Sequence, residues 1–300
     1  MRTRPRVPWR RERWDTPDGD FLDVDFLDAE SSEAPTLLVL HGLEGSSDSH
    51  YVRGAAAGAR KRGWRTLALN YRSCSGEPNR NPKFYHCGET GDPGFVAGRI
   101  LERFSGPLLL AGFSLGGNVL LKWLGECGEG VSPRIRGAAC ISPSLQPAAC
   151  AKVLDSLPGY FYRWHLLSSV KEKAERFSKM HPGLIDIDEV RRTRTFHHFD
   201  RLVIAPLYGF RDELDYYEKA DASPYLSEIQ VKTLILAAED DPIVPPHVFP
   251  HEQVAESEWL SGNLVKNGGH VGFVLGGNPR SPLFWAEERA LEFLDDCLRA

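Results

Sequence analysis

Ser114 stands in Gly112-Phe113-Ser114-Leu115-Gly116, directly after the apolar run Pro107-Leu108-Leu109-Leu110-Ala111. A serine hydroxyl is a poor nucleophile at neutral pH unless a turn exposes it and a neighbouring base removes its proton. Gly-x-Ser-x-Gly between a strand and a helix supplies such a turn. The two backbones nearly touch there, so only small residues fit on either side. Alone, the pentapeptide reads equally well as a glycine-rich loop. The strand before it and the helix-compatible run Asn118-Val119-Leu120-Leu121-Lys122-Trp123-Leu124 after it argue for a nucleophile.

A serine that attacks a carbonyl needs a base, a carboxylate to orient the base, and N–H donors for the developing oxyanion. His270, in Asn267-Gly268-Gly269-His270-Val271-Gly272-Phe273, is the candidate base, because glycines ahead of a histidine form a loop that lets the imidazole reach across. Asp241 follows the apolar run Thr233-Leu234-Ile235-Leu236-Ala237-Ala238 and precedes Pro242-Ile243-Val244-Pro245. A carboxylate there stands at the C-terminal rim of a sheet, where sites of α/β proteins form. Asp240 is its direct rival. The Asp-Pro-x-Val-Pro turn favours Asp241, with a loop cap as the alternative role for either residue. His41-Gly42-Leu43-Glu44-Gly45 follows a strand ending at Leu40, as an oxyanion loop should. The backbone amides of Leu43 and of Leu115, the latter at a helix start where the dipole helps, are the expected donors. His197-His198 and the His247/His251 pair suggest no metal site, since Pro245, Pro246 and Pro250 break any helix there and no suitably spaced acid or cysteine joins them.

These residues need a scaffold, and the chain reads as one. Residues 10–27 form two strands around Pro17-Asp18-Gly19, a hairpin signal. Residues 36–40, 64–69, 107–111, 135–141 and 231–238 are short apolar strands suited to a sheet covered on both faces. A helix over 51–61 is capped by Ser47-Asp48 and ended by Gly63; another spans about 95–104. Residues 70–91, rich in Gly, Pro, Asn and Ser, form a long loop. A last helix near 283–298 puts Leu283, Ala286, Ala290, Leu294 and Cys297 on one stripe. Strands alternating with helices imply an α/β fold with a mostly parallel central sheet flanked by helices. Residues 146–229 break the rhythm, hold helical stretches such as 170–177, and are best read as an inserted lid. The aromatic segment Leu157-Pro158-Gly159-Tyr160-Phe161-Tyr162-Arg163-Trp164 within them is either lid core or the lining of an acyl pocket.

Composition narrows the function classes. With 300 residues the chain is long enough for one large domain with such an insertion. A net charge of −5 argues against a nucleic-acid binder, although Arg2, Arg4, Arg6, Arg10, Arg11 and Arg13 crowd the start; such a run reads as a solvated tail. No apolar stretch approaches the ~20 residues of a spanning helix, and no signal peptide is apparent. Peripheral contact with a membrane stays open. Six scattered cysteines, Cys74, Cys87, Cys127, Cys140, Cys150 and Cys297, without a C-x-x-C pair suit a reduced protein of the cytoplasm.

Together the motifs make the chain resemble an α/β-hydrolase, and more narrowly the YheT-like branch (AB hydrolase family four). The resemblance rests on His41 to Ser47, on Asn70-Tyr71-Arg72-Ser73-Cys74-Ser75-Gly76-Glu77-Pro78-Asn79, on Tyr85-His86, and on Gly112 to Asn118. Phe210 with Asp215-Tyr216-Tyr217, Asp240-Asp241 and Gly268 to Phe273 complete it. The chain order Ser114, Asp241, His270 is that of these hydrolases. The resemblance implies a single domain over residues 1–300, a triad of those three residues, no cofactor, and hydrolysis of small-molecule esters with short to medium acyl chains or of lipid esters. Two other readings remain beside the serine esterase: an alcohol O-acyltransferase using the same acyl-enzyme, and a non-catalytic binding protein on the same fold. Asp221, Lys232 and Ser73 depart from residues usual in the family, and no mechanism for Tyr85-His86 is apparent. Acyl chain, alcohol and oligomeric state are not legible.

Overall fold

The chain begins as a hairpin of β1 (Arg10–Asp15) and β2 (Phe21–Leu27), paired antiparallel with Asp15 opposite Phe21. Gly19 turns between them at φ 80°, a conformation that suits glycine. This computed structural model describes residues 5–275 and 283–299, and in it Arg10, Arg11 and Arg13 of the arginine run are held in the sheet edge. Arg11 and Arg13 on β1 each form a two-pronged ion pair at 2.8 Å, with Asp25 and Asp23 of β2, and Arg10 reaches Asp28 at 3.1 Å. Cross-strand pairing of opposite charges therefore recruits half of the run into the sheet edge. Arg2 and Arg4 lie outside the described residues.

The sheet continues through β3 (Thr36–Leu40), α1 (His50–Lys61), β4 (Arg65–Asn70), α2 (Gly91–Arg103), β5 (Leu108–Phe113), α3 (Leu115–Cys127) and β6 (Ile135–Ile141). Between β6 and the next strand the chain makes six helices: α4 (Pro147–Asp155), α5 (Tyr160–Met180), α6 (Ile187–Arg192), α7 (Phe196–Leu202), α8 (Ile204–Tyr208) and α9 (Glu213–Ala220). It then returns as β7 (Thr233–Ala238), α10 (His251–Glu256) and β8 (Leu260–Val265), and closes with α11 (Trp285–Arg299). The eight strands lie in the order β1-β2-β4-β3-β5-β6-β7-β8. Every pair from β4 to β8 is parallel, and only the hairpin edge is antiparallel.

Strand alternation divides the buried residues between two cores. Leu38 and Leu40 of β3 join Val96 and Ile100 of α2 and Val119 of α3 on one face. Leu37 and Val39 join Val52 and Ala55 of α1 and Ala290 of α11 on the other. Both faces are covered, which is why these strands read as unbroken apolar runs rather than as alternating ones.

Element ends differ from the sequence reading where long-range bonds compete. Ser49, not Ser47-Asp48, precedes α1. Ser47 is diverted: its hydroxyl donates to Asp25 at 2.5 Å and its amide to Asn70 Oδ1 at 3.0 Å. Leu283 falls off the terminal stripe, 68% exposed in a two-residue strand, while Ala286, Ala290, Leu294 and Cys297 are buried as expected.

The loop of residues 71–90 is pinned by buried charge. Arg72 grips Asp92 at 2.7 and 2.8 Å and reaches Asp18 and Asp20 at 3.0 Å. Asn79 donates to Asp20 and accepts the amide of Ser73 at 2.6 Å. Ser73 stands at φ 61°, a left-handed conformation that a glycine adopts at lower cost. Asp221 accepts the amides of Gln146 at 2.9 Å and Ser223 at 3.0 Å, tying the start of the helical segment to its end. Lys232 donates to the carbonyl of Glu258 at 2.6 Å. Among the described residues no helix is long and apolar enough to cross a membrane.

Candidate active site

At the junction of β5 and α3, Ser114 takes φ 54° and ψ −119°. The flanking glycines explain how the chain tolerates it. A Cβ on Gly112 would lie 2.5 Å from the Gly116 carbonyl, and one on Gly116 would lie 2.5 Å from the His41 carbonyl. No side chain fits either gap, so the elbow requires the Gly-x-Ser-x-Gly pattern.

The structure brings the three expected side chains together from three loops at the C-terminal rim of the sheet. His270 Nε2 lies 2.7 Å from Ser114 Oγ, and His270 Nδ1 lies 2.8 Å from Asp241 Oδ2. The other Asp241 oxygen accepts the amides of Ile243 at 2.8 Å and Val244 at 3.0 Å, so the Asp-Pro-x-Val-Pro turn fixes the carboxylate. Asp240, the rival, faces elsewhere. Its Oδ1 accepts the amides of Gly268 and Gly269, both at 2.8 Å, and so anchors the loop that carries His270. Such an arrangement can move a proton from the serine to the imidazole while the carboxylate holds the ring.

Gly42 approaches the nucleophile closely, since a Cβ there would meet Ser114 Cβ at 3.1 Å. The turn from Gly42 to Gly45 is closed by the Gly45 amide on the Gly42 carbonyl at 3.0 Å. The amides of Leu43 and Leu115 have no hydrogen-bond partner among the described residues, and both residues line the same cavity as Ser114 and His270. Ser144 escaped the sequence reading. Its hydroxyl lies 3.3 Å from Ser114 Oγ, and Ser142-Pro143-Ser144 after β6 carries no signature that would have marked it.

His41 is not a second base. Burial pushes its pKa down to about 4. Its Nε2 accepts the Tyr71 amide at 3.1 Å, which leaves Nδ1 to donate to the Gly42 carbonyl at 2.7 Å. His197 pairs with Asp155 at 2.9 Å and His251 packs on the ring of Phe249. Among the described residues no three His, Cys, Asp or Glu side chains cluster as metal ligands would.

Above the serine opens a cavity of about 780 Å³, walled by Leu154, Leu166, Val170, Phe196, Phe199 and Ile204 from the six-helix segment. Tyr162 borders it as well. Phe161 and Trp164 do not, being 79% and 64% exposed, so for these two rings neither a lid-core nor a pocket role holds. Helix α5 turns its other face to the cavity.

Asp200 lies in the same wall. Asp200 is buried and accepts the Tyr217 hydroxyl at 2.6 Å, and burial pushes its pKa up to about 7. An acid whose pKa is higher folded than unfolded (ordinarily ~3.9) contributes stability below that lower value, and the contribution is lost as pH rises towards 7. Asp200→Asn keeps an acceptor for Tyr217 and never ionises. Its stability relative to wild type should therefore rise between pH 4.5 and pH 8 by on the order of 1–4 kcal/mol in urea unfolding. An unchanged difference at the two pH values would show that Asp200 is ionised without cost.

Comparison with known proteins follows this geometry. The family model described as the alpha/beta hydrolase fold matches residues 35–276. The Escherichia coli (strain K12) protein named "Putative esterase YheT" is 36% identical over 96% of this chain and 85% of its own length. Phospholipase ABHD3 of Mus musculus is 30% identical over 93% of this chain and 69% of its own. Among solved structures, a Pyrococcus furiosus esterase shares the fold with a TM-score of 0.61 at 16% identity, covering 97% of this chain and 90% of that one. With an elbow serine, a parallel sheet and relatives of this kind, the chain belongs to the α/β-hydrolase fold family, on the branch that includes its YheT-like relatives.

Proposed function

We propose that this hydrolase is a serine carboxylic ester hydrolase that works through an acyl-enzyme. Ser114 Oγ attacks the ester carbonyl carbon while His270 Nε2 takes its proton. The tetrahedral oxyanion is held by the amides of Leu43 and Leu115, and Asp241 holds the imidazole in the tautomer that accepts on Nε2. His270 then gives the proton to the leaving alcohol, and water, activated by the same imidazole, releases the acid. The observation that carries this reading is the pair of contacts at 2.7 and 2.8 Å joining Ser114, His270 and Asp241 at the floor of the cavity.

In this reading residues 1–300 are one domain and residues 146–229 form a lid, because its helices supply most of the apolar wall over the serine. The substrates are esters of short to medium acyl chains or lipid esters. A cavity of about 780 Å³ accommodates such chains, and relatives named as an esterase and a phospholipase support the class. All six cysteines are unpaired, which fits a reducing cytoplasm.

The test is a series of p-nitrophenyl esters graded by chain length, run with and without ethanol. If the apolar wall measures the acyl chain, each added methylene contributes ~0.8 kcal/mol, or roughly fourfold in kcat/KM, until the cavity is full. Free acid as the main product in ethanol supports a hydrolase, and ethyl ester would make the protein an acyltransferase. No turnover of any ester, with no labelling by a fluorophosphonate, would leave a binding protein on this fold.

A further inference from the structure

Glu44 is the strained residue of the turn that carries the Leu43 amide. Its φ is 55°, at the third position of a four-residue turn where glycine or asparagine is usual. Yet this side chain is buried and fully engaged. The Tyr85 hydroxyl accepts the Glu44 amide at 2.6 Å and donates to its Oε1 at 2.8 Å. From α5, Ser169 donates to Oε2 at 2.5 Å and Lys173 Nζ to Oε1 at 2.7 Å. Lys173 also contacts Cys74 Sγ at 3.1 Å. Burial opposes the charge on Glu44, but Lys173 and the two hydroxyls outweigh it and hold the carboxyl below its ordinary pKa. Tyr85 is itself immobilised, stacked on Tyr71 with centroids 5.2 Å apart and planes 5° from parallel.

We infer that Glu44, Tyr85 and Lys173 are positioning residues that aim the Leu43 amide at the oxyanion and make that aim depend on α5 being docked over the site. The inference rests on the serine-esterase reading and adds to it. A turn held at positive φ by a glycine would need no such support. A glutamate there gives up conformational ease in return for contacts on both sides of the cavity, one from the 71–90 loop and two from α5. Undocking α5 would strip Lys173 and Ser169 from a buried carboxylate, and Glu44 would then leave its position for water. The oxyanion donor next to it would move with it. Closure over a substrate and completion of the oxyanion hole thus become one event.

Tyr85→Phe removes both hydrogen bonds and keeps the ring stacked on Tyr71. Lys173→Met keeps the bulk of the side chain and strands the Glu44 charge. Each variant should lower kcat on p-nitrophenyl butyrate by on the order of 10- to 100-fold with KM within about threefold, less than the loss of a whole oxyanion donor. Affinity for butylboronic acid, whose tetrahedral serine adduct places an oxyanion in the same hole, should fall by the same factor as kcat. Adding Glu44→Gln to Lys173→Met removes the stranded charge; the single amide oxygen still accepts the Tyr85 hydroxyl and the NH₂ can donate to the Ser169 hydroxyl oxygen, so kcat should recover part of its loss. Melting temperature is read in parallel, because packing alone would move it without moving boronate affinity. Both single variants within twofold of wild type in kcat and boronate affinity, with wild type labelled by a fluorophosphonate and Ser114→Ala inactive, would overturn the inference and leave the esterase reading standing. A wild type that neither hydrolyses esters nor takes the label would overturn both.

Discussion

Ser114→Ala should lower kcat for ester hydrolysis by on the order of 10⁴- to 10⁶-fold and abolish labelling by a fluorophosphonate. The size follows from what alanine removes: the hydroxyl oxygen 2.7 Å from His270 Nε2 that would attack the carbonyl. In the proposed mechanism no acyl-enzyme would form without it, and the remaining rate would come from water oriented by His270 against a carbonyl polarised by the Leu43 and Leu115 amides. The fold should survive. Alanine replaces serine at the same strained φ of 54°, the Gly112 and Gly116 clearances are untouched, and the lost contacts to His270 and to Ser144 at 3.3 Å are between side chains. A variant that melts with wild type and keeps more than a tenth of its activity would remove Ser114 from the chemistry.

How far a residue could be read from sequence tracks how locally its role is decided. The elbow was legible because the steric conflict is between neighbours in the chain: Gly112 against Gly116, two residues either side of Ser114. The strands were legible because covering both faces of a parallel sheet leaves only apolar positions, and the boundaries of residues 36–40 and 135–141 were read to the residue. Roles set by distant partners were not. Glu44 and Lys173 are 129 positions apart, and nothing near either one announces the other. Tyr85 looked like motif without mechanism for the same reason: its partner is on the turn at Glu44, 41 residues earlier. The arginine run failed differently. Its charges do alternate with strand period, but matching them to Asp23 and Asp25 takes the hairpin register, which sets Arg11 opposite Asp25 and Arg13 opposite Asp23. The rings of Phe161 and Trp164 show the limit of composition, since an aromatic-rich helix turn says what area is available and not which way it faces.

The paired aspartates permit a sharper test, because both survived as candidates on sequence and the structure separates them by what each oxygen touches. Asp241→Asn should cost on the order of 10³- to 10⁴-fold in kcat. Its Oδ1 is committed to the amides of Ile243 and Val244, so an asparagine keeps its oxygen there and turns its NH₂ towards His270 Nδ1. Donor then faces donor unless the ring takes the tautomer with Nδ1 bare and Nε2 protonated, and in that tautomer Nε2 cannot accept the Ser114 proton. Asp240→Asn should cost less than about tenfold. Its task is to accept two glycine amides at 2.8 Å, which an amide oxygen does as well as a carboxylate oxygen. Asp240→Ala removes the acceptor itself, frees the amides of Gly268 and Gly269, and should fall between the two by loosening the loop that aims His270. The order expected in kcat is thus Asp240→Asn above Asp240→Ala above Asp241→Asn, with all three variants still folded in thermal unfolding. If Asp240→Asn proves the slowest, the carboxylate that orients His270 during turnover is Asp240, and the 2.8 Å contact between Asp241 and His270 is not the one the reaction uses.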